Sequence, residues 1–203
     1  MSAAALILAS ASPRRRDLLA ARGLRFRTAA PDVDESAPPG VDPEDLARSL
    51  ALRKALAVGW REAPALRAAG LSAHVLAADT VVAACGALLG KPVDAADAAR
   101  MLRALSGTTH RVITGFAALS LTPDPALVVV GAATTWVEMR PLSDAEIAAY
   151  VASGEPEGKA GAYAIQETGD RFVTRLDGGF DNVVGLPVEP ALSALRATGF
   201  AGP

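Results

Sequence analysis

The side chains best suited to chemistry in this sequence are cations and carboxylates set on turns and helix starts. The densest group is Ser10-Ala11-Ser12-Pro13-Arg14-Arg15-Arg16. Ser12 suits a helix N-cap and Pro13 a first helical position, where its missing N–H costs nothing. Free N–H groups and the macrodipole at such a start attract anions, and arginine beside them grips phosphate bidentately. The alternative is a set of solvated charges on a helix surface. Asp32, Asp34 and Glu35 place three carboxylates within four residues of a loop rich in Pro and Gly. Oxygen ligands of that kind suit a hard divalent cation, and equally an ordinary acidic loop. Lys54, the only lysine before Lys91, lies on the apolar stripe of its helix; a surface ammonium is the plainer reading. Asp79 interrupts the apolar run 74–84. Burying a carboxylate costs several kcal/mol unless it is paired or liganded, so a functional role is favoured over a structural one.

Other chemistries drop out. His74 and His110 are the only histidines and Cys85 the only cysteine, which leaves no His-rich zinc site and no internal disulfide. There is no G-x-S-x-G elbow and no G-x-G-x-x-G after the first strand. Gly86 to Gly90-Lys91-Pro92 is not a Walker loop: the glycine spacing is one short, and Pro92 stands where Ser or Thr would meet Mg²⁺. Gly90-Lys91-Pro92 still presents a lysine from a tight turn. A mixture of Arg, Lys, Asp and Glu on loops and helix starts suits a metal-bound, phosphate-rich substrate.

The elements that must position these groups follow from period and punctuation. Residues 6–9 read as a buried strand and 14–22 as a helix closed by Gly23. A short strand falls within 25–28. Asp42-Pro43-Glu44-Asp45 opens a helix to about residue 58. Residues 60–70, with Pro64 inside, read as a separate helical piece or a connection. Residues 74–78 form a strand with Asp79 following it, at the carboxyl end where α/β sheets collect sites. Cys85-Gly86 turns the chain back through 88–89. Asp94 caps a helix to residue 105. Residues 110–121 and 126–139, around Pro123-Asp124-Pro125, suggest an antiparallel hairpin. Ser143 and Glu146 form a capping box for a helix to residue 152. A strand over 171–176 and a helix over 188–198 complete the chain.

The whole is 203 residues, 51% hydrophobic, with a net charge of -2. That is enough chain for a real core, and too little positive charge for a broad nucleic-acid face. One cysteine fits a reducing compartment. No basic region precedes a long apolar segment, so neither a signal peptide nor a membrane span is expected, and the expected location is the cytoplasm.

The motifs Leu8-Ala9-Ser10-Ala11-Ser12-Pro13-Arg14-Arg15, Val33-Asp34-Glu35, Lys54, Ala78-Asp79-Thr80-Val81-Val82, Gly90-Lys91-Pro92, Leu105-Ser106-Gly107, Thr114-Gly115, Lys159-Ala160-Gly161-Ala162-Tyr163-Ala164-Ile165-Gln166 and Val183-Val184-Gly185-Leu186-Pro187 occur in this order. Together the sequence resembles the Maf family of nucleoside triphosphate pyrophosphatases, once described as septum-formation inhibitors. The likeness runs from about residue 5 to 198. It implies an α/β fold like that of the inosine-triphosphate pyrophosphatases: a long, bent, mixed sheet with flanking helices and two lobes around a central cleft. Residues 1–203 would form this single domain without a separable linker.

The resemblance also implies a reaction and a site. Nucleoside triphosphate would be cut between the α- and β-phosphates with a divalent cation, Mg²⁺ or Mn²⁺. Asp79 would be the catalytic carboxylate, as general base or metal ligand, and Glu35 a second metal ligand. Ser10, Ser12, Arg15, Lys54 and Lys91 would hold phosphate oxygens. Arg14, Thr80 and Gln166 match the branch acting on dTTP and UTP. A Gln amide offers a donor and an acceptor to the carbonyl and N3–H edge of uracil or thymine. The branch acting on 7-methyl-GTP tends to have Trp, Gln and Glu at these places. Phe180 and Asp181 look unusual before Val183. A nucleoside triphosphate is the expected partner, with no nucleic acid or membrane, and a homodimer is compatible. Pyrophosphatases of 7-methyl-GTP or damaged purine nucleotides stay open, as does a non-catalytic nucleotide-binding regulator of division.

Overall fold

Local side-chain chemistry starts most of the helices. The computed structural model describes residues 5–121, 128–166 and 168–202. Ser12 caps α1 (Pro13–Ala20), with proline in the first turn. Asp42 accepts from the amides of Glu44 and Asp45 at the start of α2 (Pro43–Ala68). Asp94 accepts from Asp97 N before α3 (Ala95–Leu105). Ser143 and Glu146 make the reciprocal capping box of α4 (Asp144–Ala152). α5 (Phe180–Val184) and α6 (Val188–Ala197) follow.

The strands are β1 (Ala5–Ala9), β2 (Phe26–Thr28), β3 (Ala73–Ala84), β4 (Ala87–Leu89), β5 (Thr109–Ser120), β6 (Val128–Met139) and β7 (Val173–Asp177). They form one open, mixed sheet in the order β2-β1-β3-β5-β6-β7, with β4 paired to β3. β1 runs parallel to β2 and β3, with Leu6 opposite Phe26 and Ala9 opposite Ala77. Parallel neighbours need a crossover, which α1 and α2 supply. β4 and β7 run antiparallel to β3 and β6. The sheet is mixed and flanked by helices, as the resemblance implied. β5 and β6 are neighbours; the expected turn at Pro123-Asp124-Pro125 lies outside the described residues.

The chain divides into two compact units. One comprises residues 1–79, 114–133 and 185–203, the other 80–113 and 134–184. In the first, Leu6, Leu8, Leu76 and Phe116 pack with Leu192 and Leu195, while Ile7, Val75 and Leu119 pack with Ala51, Ala55 and Val58. In the second, Met101, Leu102 and Leu105 join Val112, Val137, Tyr150 and Phe172. Among the described residues no helix is long and apolar enough to cross a membrane.

Three expectations change. α2 does not stop near residue 58 but runs 26 residues through Pro64. The proline removes one backbone bond, and the helix-favouring alanines around it carry the turn across. β3 does not end before Asp79: it is one strand of 12 residues with Asp79 inside, because a cation meets that carboxylate. The strand expected at 171–176 starts two residues later, after a 3-10 turn over Thr168–Phe172, and α5 was not foreseen.

Candidate active site

The first unit brings six of the expected side chains together in two bonded groups, Ser10, Ser12 and Arg15 in one and Glu35, Lys54 and Asp79 in the other. The chain leaves β1 at Ser10, which is 4% exposed. Its Oγ accepts from Ser12 N at 3.1 Å and from Arg15 Nη1 at 3.4 Å. Ser12 Oγ in turn accepts from Arg15 N at 3.5 Å. Arg15 Nε donates to the carbonyl of Gly185 at 2.7 Å. Gly185 has φ of 128°, a conformation that favours glycine. Arg15 is thus held from both ends of the chain. Burial holds its pKa below the usual arginine value, the charges of Asp79 and Glu35 oppose that, and Arg14 reinforces it. The guanidinium stays charged, and its charge acts on Asp79 and Glu35.

Lys54 is not a surface ammonium. It is 5% exposed on the inner face of α2. Its Nζ lies 2.6 Å from Glu35 Oε1 and bonds Asp79 Oδ1. Buried charges persist only when paired, and here one ammonium serves two carboxylates. Of the acidic loop, only Glu35 reaches Lys54 among the interactions seen. Asp34 accepts instead from Ser36 N at 2.8 Å and Ser36 Oγ at 2.7 Å, which fixes the loop's shape. These hydrogen bonds hold the Asp34 pKa below the ordinary carboxylate value.

The three arginines separate. Arg15 turns inward, Arg14 is half-buried at the helix start, and Arg16 is exposed and paired with Asp17 at 3.0 Å.

What lets Lys54 reach the sheet is Gly115. A Cβ there would stand 2.2 Å from the carbonyl of Ala47. The α2 backbone therefore lies directly on β5, next to β3 and Asp79. The motif Thr114-Gly115 was legible, but the purpose of its glycine was not. The same holds for the Gly185 carbonyl.

The second unit carries Thr80, Lys91 and Gln166. Thr80 is half-buried in β3, and Lys91 is exposed after β4. The loop bearing Lys91 is tied to the glycine-flanked segment by Gly161 N donating to Gly90 O at 3.0 Å. Gln166 is exposed and lines a concavity of about 670 Å³ with Ile165, Asp170, Thr174, Arg175 and Phe180.

Among the described residues there is no group of three or more His, Cys, Asp or Glu arranged to hold a metal. The convergent donors are the two carboxylates on Lys54. Mg²⁺ commonly takes one or two carboxylates and completes its shell with substrate phosphates and water. Glu35 and Asp79 fit that pattern.

A family model described as Maf-like protein matches residues 5–198. The dTTP/UTP pyrophosphatase of Geobacter sulfurreducens is 47% identical over 194 residues, 96% of this chain and 96% of that one. That of Pelotomaculum thermopropionicum is 44% identical over 195 residues, covering 96% and 97%. That of Anaeromyxobacter dehalogenans strain 2CP-C is 45% identical over 198 residues, covering 98% and 96%.

Proposed function

The chain belongs to the Maf family, and from that premise we propose that it is a nucleoside triphosphate pyrophosphatase whose substrates are dTTP and UTP. Relatives bearing that name match it over nearly its full length. The observation that carries the reading is the buried Lys54–Asp79 pair, joined at its exposed side by Glu35, with the charge of Arg15 acting on both carboxylates. Phosphoryl chemistry needs positive charge for the polyanion and an acceptor for the proton of attacking water.

Arg15, Lys54 and Lys91 bind phosphate oxygens. Ser10, Ser12 and the start of α1 add neutral donors. The Gly185 carbonyl and Ser10 Oγ keep the guanidinium from swinging to solvent. Asp79 orients the water and takes its proton, while Lys54 fixes the carboxylate's direction. A divalent cation, when bound by Glu35, Asp79 and the substrate, supplies charge neutralisation and acidifies water. Water's oxygen joins phosphorus as the bond to the bridging oxygen breaks; the products are nucleoside monophosphate and pyrophosphate. Gln166 reads the pyrimidine edge through its carbonyl and amide, with Arg14 and Thr80 completing the selectivity.

The test is pyrophosphate release from dTTP, UTP, CTP, GTP, ITP and 7-methyl-GTP with Mg²⁺, Mn²⁺ or EDTA. Metal-dependent release led by dTTP and UTP is expected. Release led by 7-methyl-GTP would keep the reaction and overturn the base assignment. No release, with tight nucleotide binding, would replace the enzyme by a binding protein.

A further inference from the structure

Gln166 sits at the tip of a short loop whose neck is closed by side chains with no assigned role. Before the tip, Ala164 N donates to Tyr150 Oη at 3.1 Å. After it, Gly169 N donates to Glu155 Oε1 at 3.2 Å, and Thr168 Oγ1 donates to Glu155 Oε2. The two sides are joined because Tyr150 Oη donates to the same Glu155 Oε1 at 2.9 Å. One phenol and one carboxylate thus tie residue 164 to residues 168 and 169 across the tip.

The closure is tight. A Cβ at Gly169 would lie 2.4 Å from Ala164 O and 2.9 Å from Tyr150 Oη. Tyr150 itself is 1% exposed, and its ring meets Phe172 edge-on at 5.0 Å. Its hydroxyl position is therefore set by the core. Burial works against the charge of Glu155, but hydrogen bonds from Thr168, Tyr150 and Gly169 outweigh it and hold the pKa below the ordinary value. The carboxylate stays ionised at neutral pH, as these hydrogen bonds to it require.

An amide reads a base only if its donor and acceptor are fixed in direction, and a flexible glutamine would lose that preference to rotamer freedom. We propose that Tyr150 and Glu155 are positioning residues that hold the Gln166 loop in its reading conformation and so set the choice of base. This rests on the reading of Gln166 given above. Neither residue touches phosphate or water in this scheme, so the effect falls on recognition rather than on bond cleavage.

The experiment measures kcat and KM for UTP and GTP with Mg²⁺ in the full chain. The variants are Tyr150→Phe, Glu155→Gln, Gln166→Ala and the double variant Tyr150→Phe with Gln166→Ala. Tyr150→Phe keeps the ring packing and removes only the hydroxyl; Glu155→Gln tests the clamp from its other member. The expected result for each is a rise of about tenfold in KM for UTP, the loss of roughly one hydrogen bond. The kcat for UTP and the constants for GTP should stay within about threefold, so the selectivity ratio falls. The double variant should be no worse than Gln166→Ala, because the clamp acts through that residue. Equal losses on UTP and GTP, a fall confined to kcat, or full additivity would overturn the proposal. If Gln166→Ala collapses the ratio and the clamp variants do not, the clamp alone is wrong. If Gln166→Ala leaves the ratio unchanged, the base reading fails and the proposal falls with it.

Discussion

At the residue scale, the centre of the molecule is an ammonium shared by two carboxylates. A hydrophobic stripe that carries a lysine normally lets it reach solvent along its stem. Lys54 instead ends between Asp79 and Glu35. In the mechanism proposed above Asp79 is the proton acceptor, so Asp79→Asn keeps the shape and removes the base. Turnover of UTP should fall by about 10²–10⁴-fold, while the melting temperature stays within a few degrees because Lys54 retains Glu35. Activity within a few-fold of wild type would remove Asp79 from the chemistry. Asp79 was readable in advance because a carboxylate inside an apolar run demands a partner. Its partner was not, since Lys54 is 25 residues away and joins it only through helix-on-sheet packing. Arg15 shows the same divide. Its place at a capped helix start was written locally in Ser12 and Pro13, whereas its anchor at Gly185 lies 170 residues away.

At the element scale, the site depends on how closely α2 lies on β5. Gly115 permits backbone contact with Ala47, and Gly59, further along the same helix, faces Leu119. Lys54 falls between these two contacts, at the depth from which its side chain spans to β3. Gly115→Ala would force α2 outward, since no rotamer relieves a Cβ against backbone. Overpacking of this kind costs about 1–3 kcal/mol or more. The expected outcome is a lower denaturation midpoint together with lost turnover, because Lys54 is lifted from Asp79. A variant with wild-type midpoint and rate would show that the helix does not depend on this approach. The continuation of α2 past Pro64 was hidden for a related reason. Proline is a strong local stop signal, and it was overridden by helix-forming neighbours on both sides. Caps and turns are local and could be read; the depth of a helix on a sheet is not.

At the scale of the whole molecule, the two histidines divide between the two units, and both are buried. His74 Nδ1 meets Thr198 Oγ1 at 2.9 Å in the first, and His110 Nε2 meets Tyr163 Oη at 2.8 Å in the second. Burial lowers both pKa values, and that of His110 falls from 6.5 to about 4. The Tyr163 hydroxyl is pushed up by the same burial. His110 Nδ1 has no hydrogen-bond partner among the described residues, so a second proton there would bring charge without an acceptor. The folded state therefore binds fewer protons at this site than the unfolded chain. Its contribution is fully present above pH 6.5, declines as pH falls, and is exhausted near pH 4. Between pH 7.5 and 5 this one group should remove about 2 kcal/mol of stability. The carboxylates with depressed pKa values, Glu146 at about 2 among them, lose their share only at lower pH and do not blur that window. Denaturant unfolding across pH 7.5 to 5 measures the slope, and His110→Gln should reduce it whatever its own cost at neutral pH, the remainder belonging to His74. An unchanged slope in that variant would assign the acid sensitivity elsewhere and show that His110 accepts its second proton without penalty.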